Sequence, residues 1–180
     1  CIYLGITNVD VEGLQLRCRA EGIVVSTDGG YGEVNLANNV IRLDTSPGIP
    51  MQTGIRAMSS GEPKLEVNVV GNLLYDLGDG SSPEQVGILA GLNTNLRAYN
   101  NTVVGGYYGV KEGPDSRLYA TNNLVVGQPP EGAAYVVNAG ASEWAFTQLN
   151  LSGDGSAPGR HPVADATVEF VDPAAGDYHL

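Results

Sequence analysis

The chain has 180 residues, and its 42% hydrophobic, 16% charged composition with 25 Gly and 10 Pro describes one turn-rich globular domain able to bury a core. A net charge of −11 with nine Lys and Arg in all excludes a general nucleic-acid binder, because phosphate binding needs clustered cations. No stretch of about 18 apolar residues is present, so no membrane-spanning helix is expected, and no signal-peptide pattern opens the chain.

From the N-terminus, Cys1 to Leu4 form a strand, and Val9, Val11, Leu14 and Leu16 follow. The same pattern returns around Asn39, Asn72, Asn101 and Asn123, each standing one residue after Asn or Gly and two before an aliphatic. Extending the register outward puts Leu14 and Leu149 in the equivalent slots. Two residues after each slot stand Leu16, Ile41, Leu74, Val103, Val125 and Leu151; three before stand Val11, Leu36, Val69, Ala98, Ala120 and Phe146. Five before stand Val9, Val34, Val67, Leu96, Leu118 and Trp144. Apolar residues at every second position specify strands with one buried face.

A second landmark follows each slot: Gly22-Ile23, Gly54-Ile55, Gly87-Ile88, Gly109-Val110 and, more weakly, Gly132-Ala133. Each marks a further strand. Insertions fall at one corner, from Leu43 to Thr53 and from Leu77 to Val86, in stretches rich in Gly, Pro, Asp and Ser, which is turn chemistry. The shortest interval between slots, 22 residues from Asn101 to Asn123, holds three short strands and closes as one coil of a parallel β-solenoid. At the slot itself the backbone needs a left-handed or bridge conformation, which Gly and Asn tolerate best. An inward Asn can then hydrogen-bond to its equivalents about 4.8 Å above and below. Leu14 and Leu149 are expected to end this ladder by apolar stacking.

The strand at Cys1 begins inside a coil without a polar cap, which reads as a fragment of a longer protein, expected to be monomeric. Cys18 lies on an inward position. A buried thiol, a disulfide with Cys1 and a lipid-modified Cys1 are three readings of the cysteines, and the buried thiol is the simplest. His161 and His179 lie near the C-terminus, away from any Cys or carboxylate at zinc spacing. Asn100-Asn101-Thr102 and Asn150-Leu151-Ser152 match the glycosylation sequon, although their place in the coil corners gives them a structural reason.

Residues 2 to 153 resemble the right-handed parallel β-helix family, the pectin-lyase-like superfamily. The string Phe170-Val171-Asp172-Pro173-Ala174-Ala175-Gly176-Asp177-Tyr178-His179-Leu180 looks like the segment that closes bacterial secreted β-helix proteins. The expected fold is therefore all-β, a right-handed parallel β-helix of about five to six coils with an internal Asn ladder. Residues 1–153 would form the coils and 154–180 a loop and closing strand segment.

The resemblance implies an extracellular or cell-surface protein that meets polysaccharide on the outer face of the Gly-Ile sheet. With Ile23, Ile55, Ile88 and Val110 inward, the next residues point out: Val24, Arg56, Leu89 and Lys111. Arg56 and Lys111 would stand two coils apart, about 10 Å, which suits two carboxylates of a uronic-acid chain. In lyases of this class calcium acidifies a proton beside a uronate carboxyl and a Lys or Arg removes it. Lys111 or Arg56 would be that base, and Asp28, Glu62 and Asp115 the oxygen ligands of the cation. Tyr75, Tyr99 and Tyr119 are outward rings on which sugars could stack. Two readings follow: a polysaccharide-binding module that requires no cofactor, or a calcium-dependent uronic-acid lyase or other carbohydrate-active enzyme.

Overall fold

The structure, a computed structural model, describes residues 1–5, 8–29, 32–44, 51–138, 147–175 and 177–178. The chain begins with β1 (Ile2–Leu4), β2 (Val9–Glu12), β3 (Gln15–Cys18), β4 (Glu21–Thr27), β5 (Glu33–Ala37) and β6 (Val40–Leu43). It continues through β7 (Gln52–Ser59), β8 (Leu65–Val70), β9 (Leu73–Tyr75), β10 (Gln85–Ala90), β11 (Thr94–Tyr99) and β12 (Thr102–Val104). It ends with β13 (Tyr108–Glu112), β14 (Arg117–Thr121), β15 (Leu124–Val126), β16 (Ala133–Val136) and β17 (Leu151–Ser152). No helix among the described residues is long and apolar enough to cross a membrane.

Up to β16 every third strand joins the same sheet, and β17 then adds to the third. The first sheet has the order β1-β4-β7-β10-β13-β16, the second β14-β11-β8-β5-β2 and the third β17-β15-β12-β9-β6-β3. All the strand pairings are parallel, as in a β-solenoid, and equivalent residues lie one above another. Thus Ile23, Ile55, Ile88 and Val110 stack in one column, and Ile41, Leu74, Val103 and Val125 in another. All eight are fully buried. Each contributes roughly 1.5–3 kcal/mol of hydrophobic stabilisation.

The corner between the second and third sheets carries the ladder. The backbone N–H of Asn39, Asn72, Asn101 and Asn123 each donates to the side-chain oxygen of the next ladder residue at 2.9 to 3.2 Å. The side-chain amide of each donates to that same oxygen at 2.9 to 3.0 Å. It also reaches back to a strand carbonyl, as Asn101 does to Val69 O at 2.8 Å. Every buried polar group at the corner is thereby paired, which the fully enclosed position requires.

The left-handed residue is the one before the ladder position. Gly13, Asn38, Gly71, Asn100, Asn122 and Leu149 have φ of 70°, 55°, 65°, 56°, 55° and 55°. This corrects the last slot: Asn123 bonds to Asn150, so Asn150 is the ladder residue and Leu149 its left-handed neighbour, 52% exposed. The register agrees, since Leu124 pairs with Leu151 and Val125 with Ser152, so the inward residue is Ser152. Leu14 does occupy a ladder slot and donates its N–H to Asn39 Oδ1 at 3.1 Å, but at 37% exposure it does not end the ladder by apolar stacking. Trp144, Phe146, Gly176, His179 and Leu180, with residues 45–50 of the first insertion, lie outside the described residues.

Two further expectations change. Ala133 lies level with Tyr108 and Tyr135 with Val110, so Ala134 takes the place of the glycine, and Gly132 is not its counterpart. Cys18 is no free thiol: it forms a disulfide with Cys1, Cα to Cα 5.5 Å. The reason is the short connection from β3 to β4. Ile2 pairs with Ile23, which sets Cys1 level with Gly22 at the corner that Cys18 has just left.

Beyond β17 the chain makes a final pass, in which Gln148 bridges Arg160 and Leu151 bridges Val163. Side chains satisfy the open edge of β16: Asp154 Oδ2 accepts the N–H of Ala134 at 2.9 Å, and Ser156 Oγ accepts that of Tyr135 at 2.9 Å. Burial acts to raise the Asp154 carboxyl. The Ser156 hydroxyl, the N–H groups of Ala134 and Ser156 and the Ser152 hydroxyl together outweigh it, so its pKa falls below the ordinary value. The chain then folds back along the third sheet, where the Tyr178 ring lies 4.7 Å from Tyr75 and 5.2 Å from Phe170.

Asn101→Ala should lower the unfolding free energy by about 3 kcal/mol or more, because it strands two buried donors of Asn72 and the carbonyl of Val69. Asn68→Ala, on the outward face, should lower it by less than about 1 kcal/mol. Urea unfolding checks both, and equal losses would sink the ladder's assigned role.

Candidate functional site

The Gly-Ile landmark has a steric cause. A methyl group placed on Gly22, Gly54, Gly87 or Gly109 would lie 2.6, 2.4, 2.4 or 2.0 Å from Ile41, Leu74, Val103 or Val125 of the third sheet. The glycines therefore face inward, directly against the opposite wall, and the core is pinched along their column. The Ile or Val that follows each is also buried. Two successive inward residues leave two rows on the opposite side of the first sheet, one on each side of the pinch, although Val24, Thr53 and Val86 on them are themselves buried.

One row is Glu21, Thr53, Val86 and Tyr108, and the other Val24, Arg56, Leu89 and Lys111, each in strand register. Between them lies a cleft of ≈ 170 Å³. Thr53 and Val86 line one side, Arg56, Leu89 and Lys111 the other, with Met51, Pro83 and Glu84 at the rim. The first insertion supplies Met51 of that rim, and the second supplies Pro83 and Glu84. Asp79 Oδ1 braces it by accepting from Ser81 N at 3.0 Å, Ser81 Oγ at 2.6 Å and Gln85 Nε2 at 2.9 Å. The Ser81 hydroxyl, the Gln85 amide and the Ser81 N–H hold the Asp79 carboxyl down at about 2.

The two cations sit differently. Arg56 Nη2 lies 2.7 Å from Glu21 Oε1, with each side chain 23% exposed. Lys111 Nζ lies 4.3 Å from the centre of the Tyr108 ring, a cation–π contact. Arg56 and Lys111 are thus brought to one cleft, separated by Leu89, as the sequence reading expected of one row. The opposite row was missed, although its signal, one residue before each glycine, is in the sequence.

The other candidates do not join this cleft. Tyr99 and Tyr119 are both outward on the second sheet but lie level with Thr121 and Arg97 respectively, two positions apart along the strands. Arg97 stands 5.9 Å from the Tyr119 ring. Tyr75 is on the third sheet under Tyr178, so the three rings do not form one strip. Asp28, Glu62 and Asp115 are exposed and lie on the corner after the first sheet. Asp28 accepts from Ser60 Oγ at 3.3 Å, and the carbonyl of Asp115 accepts from Lys64 Nζ at 2.7 Å. No group of three or more His, Cys, Asp or Glu among the described residues is placed to hold a metal ion, so these three acids are not gathered into a calcium site.

No protein-family model matches the chain, and no curated protein or solved structure shows significant similarity to it. The geometry alone carries the functional reading. It offers a groove with an apolar middle, two cations and the Glu84 carboxylate at its rim.

The pinch can be tested. Gly87→Ala should destabilise the fold by about 2 kcal/mol, since its methyl would meet Val103 and the carbonyl of Gly109. Gly155→Ala, with nothing within 4 Å, should leave the urea midpoint nearly unchanged. A neutral Gly87→Ala would contradict the pinched cross-section.

Proposed function

We propose that this chain is a right-handed parallel β-helix of about five to six coils, pectin-lyase-like in kind, that serves as an extracellular polysaccharide-binding module. A right-handed hand agrees with the strong preference of parallel crossover connections. The observation that carries the reading is the cleft in which Arg56 and Lys111 flank Leu89 on the same row. Rungs about 4.8 Å apart set the two cations about 10 Å from each other, a spacing open to alternate carboxylates of a uronic-acid polymer. Half-buried, apolar Leu89 between them gives a sugar ring a surface to lie on. The Cys1–Cys18 disulfide suits an oxidising compartment and so supports the extracellular placement.

Binding is preferred to calcium-dependent lysis because Asp28, Glu62 and Asp115 are exposed on the corner after the first sheet and none of them lines the cleft. The binding reading needs no metal. A lyase would still use Lys111 or Arg56 as base, and the appearance of an unsaturated, ultraviolet-absorbing product from a uronic-acid polymer would favour it.

Lys111→Ala should weaken binding to a 1,4-linked galacturonate oligomer by about tenfold in calorimetry, with little change toward the neutral galactose oligomer. Lys64→Ala, on the adjoining corner, should leave the affinity unchanged. Absence of any binding to acidic or neutral oligomers, or an equal loss in both variants, would overturn the module reading.

A further inference from the structure

We infer that Glu21 is a built-in competitor for the ligand carboxylate at Arg56, and so sets the strength with which the cleft takes acidic sugars; this rests on the binding reading above. In its own row Arg56 has only Val24 and Leu89 as neighbours, neither of which can accept a hydrogen bond from the guanidinium. The carboxylate it meets comes from the opposite row, one rung back, since Glu21 pairs with Thr53. Glu21 therefore reaches from one row to the other at the end of the groove, where Arg56 lies.

The contact it makes is incomplete. Glu21 Oε1 lies 2.7 Å from Arg56 Nη2, yet neither Glu21 Oε1 nor Arg56 Nε has a hydrogen-bond partner among the described residues, and both atoms are buried. A guanidinium binds a carboxylate best through two parallel N–H groups, and this pair does not use that geometry. The buried Arg56 Nε–H is left without a partner, a cost that a two-point contact with a carboxylate would remove. Arg56 lines the cleft and Glu21 lies beside it, each side chain keeping 23% exposure. An incoming carboxylate that takes both N–H groups can replace Glu21, which then turns to water.

Lys111 provides the contrast. It rests on the Tyr108 ring and makes no ion pair among the described residues. One end of the groove is thus open to an anion and the other is already occupied by the protein's own.

Calorimetric titration of the full chain with a galacturonate trimer, and with a galactose trimer as the neutral probe, tests this. Glu21→Gln should bind the acidic trimer about fivefold more tightly than the wild type and the neutral trimer equally. Adding Arg56→Gln should remove the gain. Glu21→Asp, too short to reach across, should move affinity the same way, which guards against a folding defect of the Gln variant. Wild-type binding with no tightening in either Glu21 variant overturns the competitor and leaves the module reading standing. Absence of acidic binding in every protein overturns both. Equal tightening toward the neutral trimer also contradicts the inference, because it would mean a widened cleft and not a freed cation.

Discussion

The hydrogen bond from one asparagine to the side-chain oxygen of the next is the constraint on which the rest of this molecule depends. It holds an enclosed corner in which backbone and side-chain amides would otherwise lack partners, and it does so at successive levels from Leu14 through Asn39, Asn72, Asn101 and Asn123 to Asn150. Because the pattern links equivalent residues, it opposes any slip between neighbouring strands. A slip by one residue would turn every inward side chain outward. The stacked columns of Ile, Leu and Val therefore follow from the ladder as much as from their own hydrophobicity.

The groove is a consequence one step removed. With register held, the glycines fall in one column and face the third sheet at distances that admit no side chain. The first sheet must approach the third there. The rows on either side then become the walls of a cleft, and a chemical difference between levels, apolar Leu89 between charged Arg56 and Lys111, becomes a pattern along one of those walls. Function on such a frame needs no moving part. The strands provide rigid placement, and the insertion braced by Asp79 provides part of the rim.

Much of the architecture was legible in the sequence because it is periodic. Asn72 and Asn101 stand out by their neighbours, and Val67, Leu96 and Leu118 confirm the register. The errors came where the period weakens. Leu149 was placed in the slot because Leu151 looks like the aliphatic two residues on, whereas Ser152 is the inward residue and Asn150 the ladder residue. Gly132 was matched to Gly109 by composition, but the strand pairing puts Ala134 there. Non-local contacts were out of reach. Nothing near Tyr75 announces that Tyr178 lies on it, and the spacing of Cys1 and Cys18 does not reveal that a tight corner brings them together. Half of the cleft stays hidden because the Gly-Ile pairs mark a strand without showing that the glycine itself faces inward, which is what sets Thr53 and Val86 on the opposite side of the sheet from Gly54 and Gly87.

The most direct test of the account is amide hydrogen exchange at the backbone N–H groups of Asn72, Asn101 and Asn123, each of which donates to a side-chain oxygen one level away. If the ladder holds the corner, these amides exchange as slowly as those of Ile55 and Ile88 in the core, through global unfolding. Rapid exchange at the three asparagines while Ile55 and Ile88 remain protected would contradict the account.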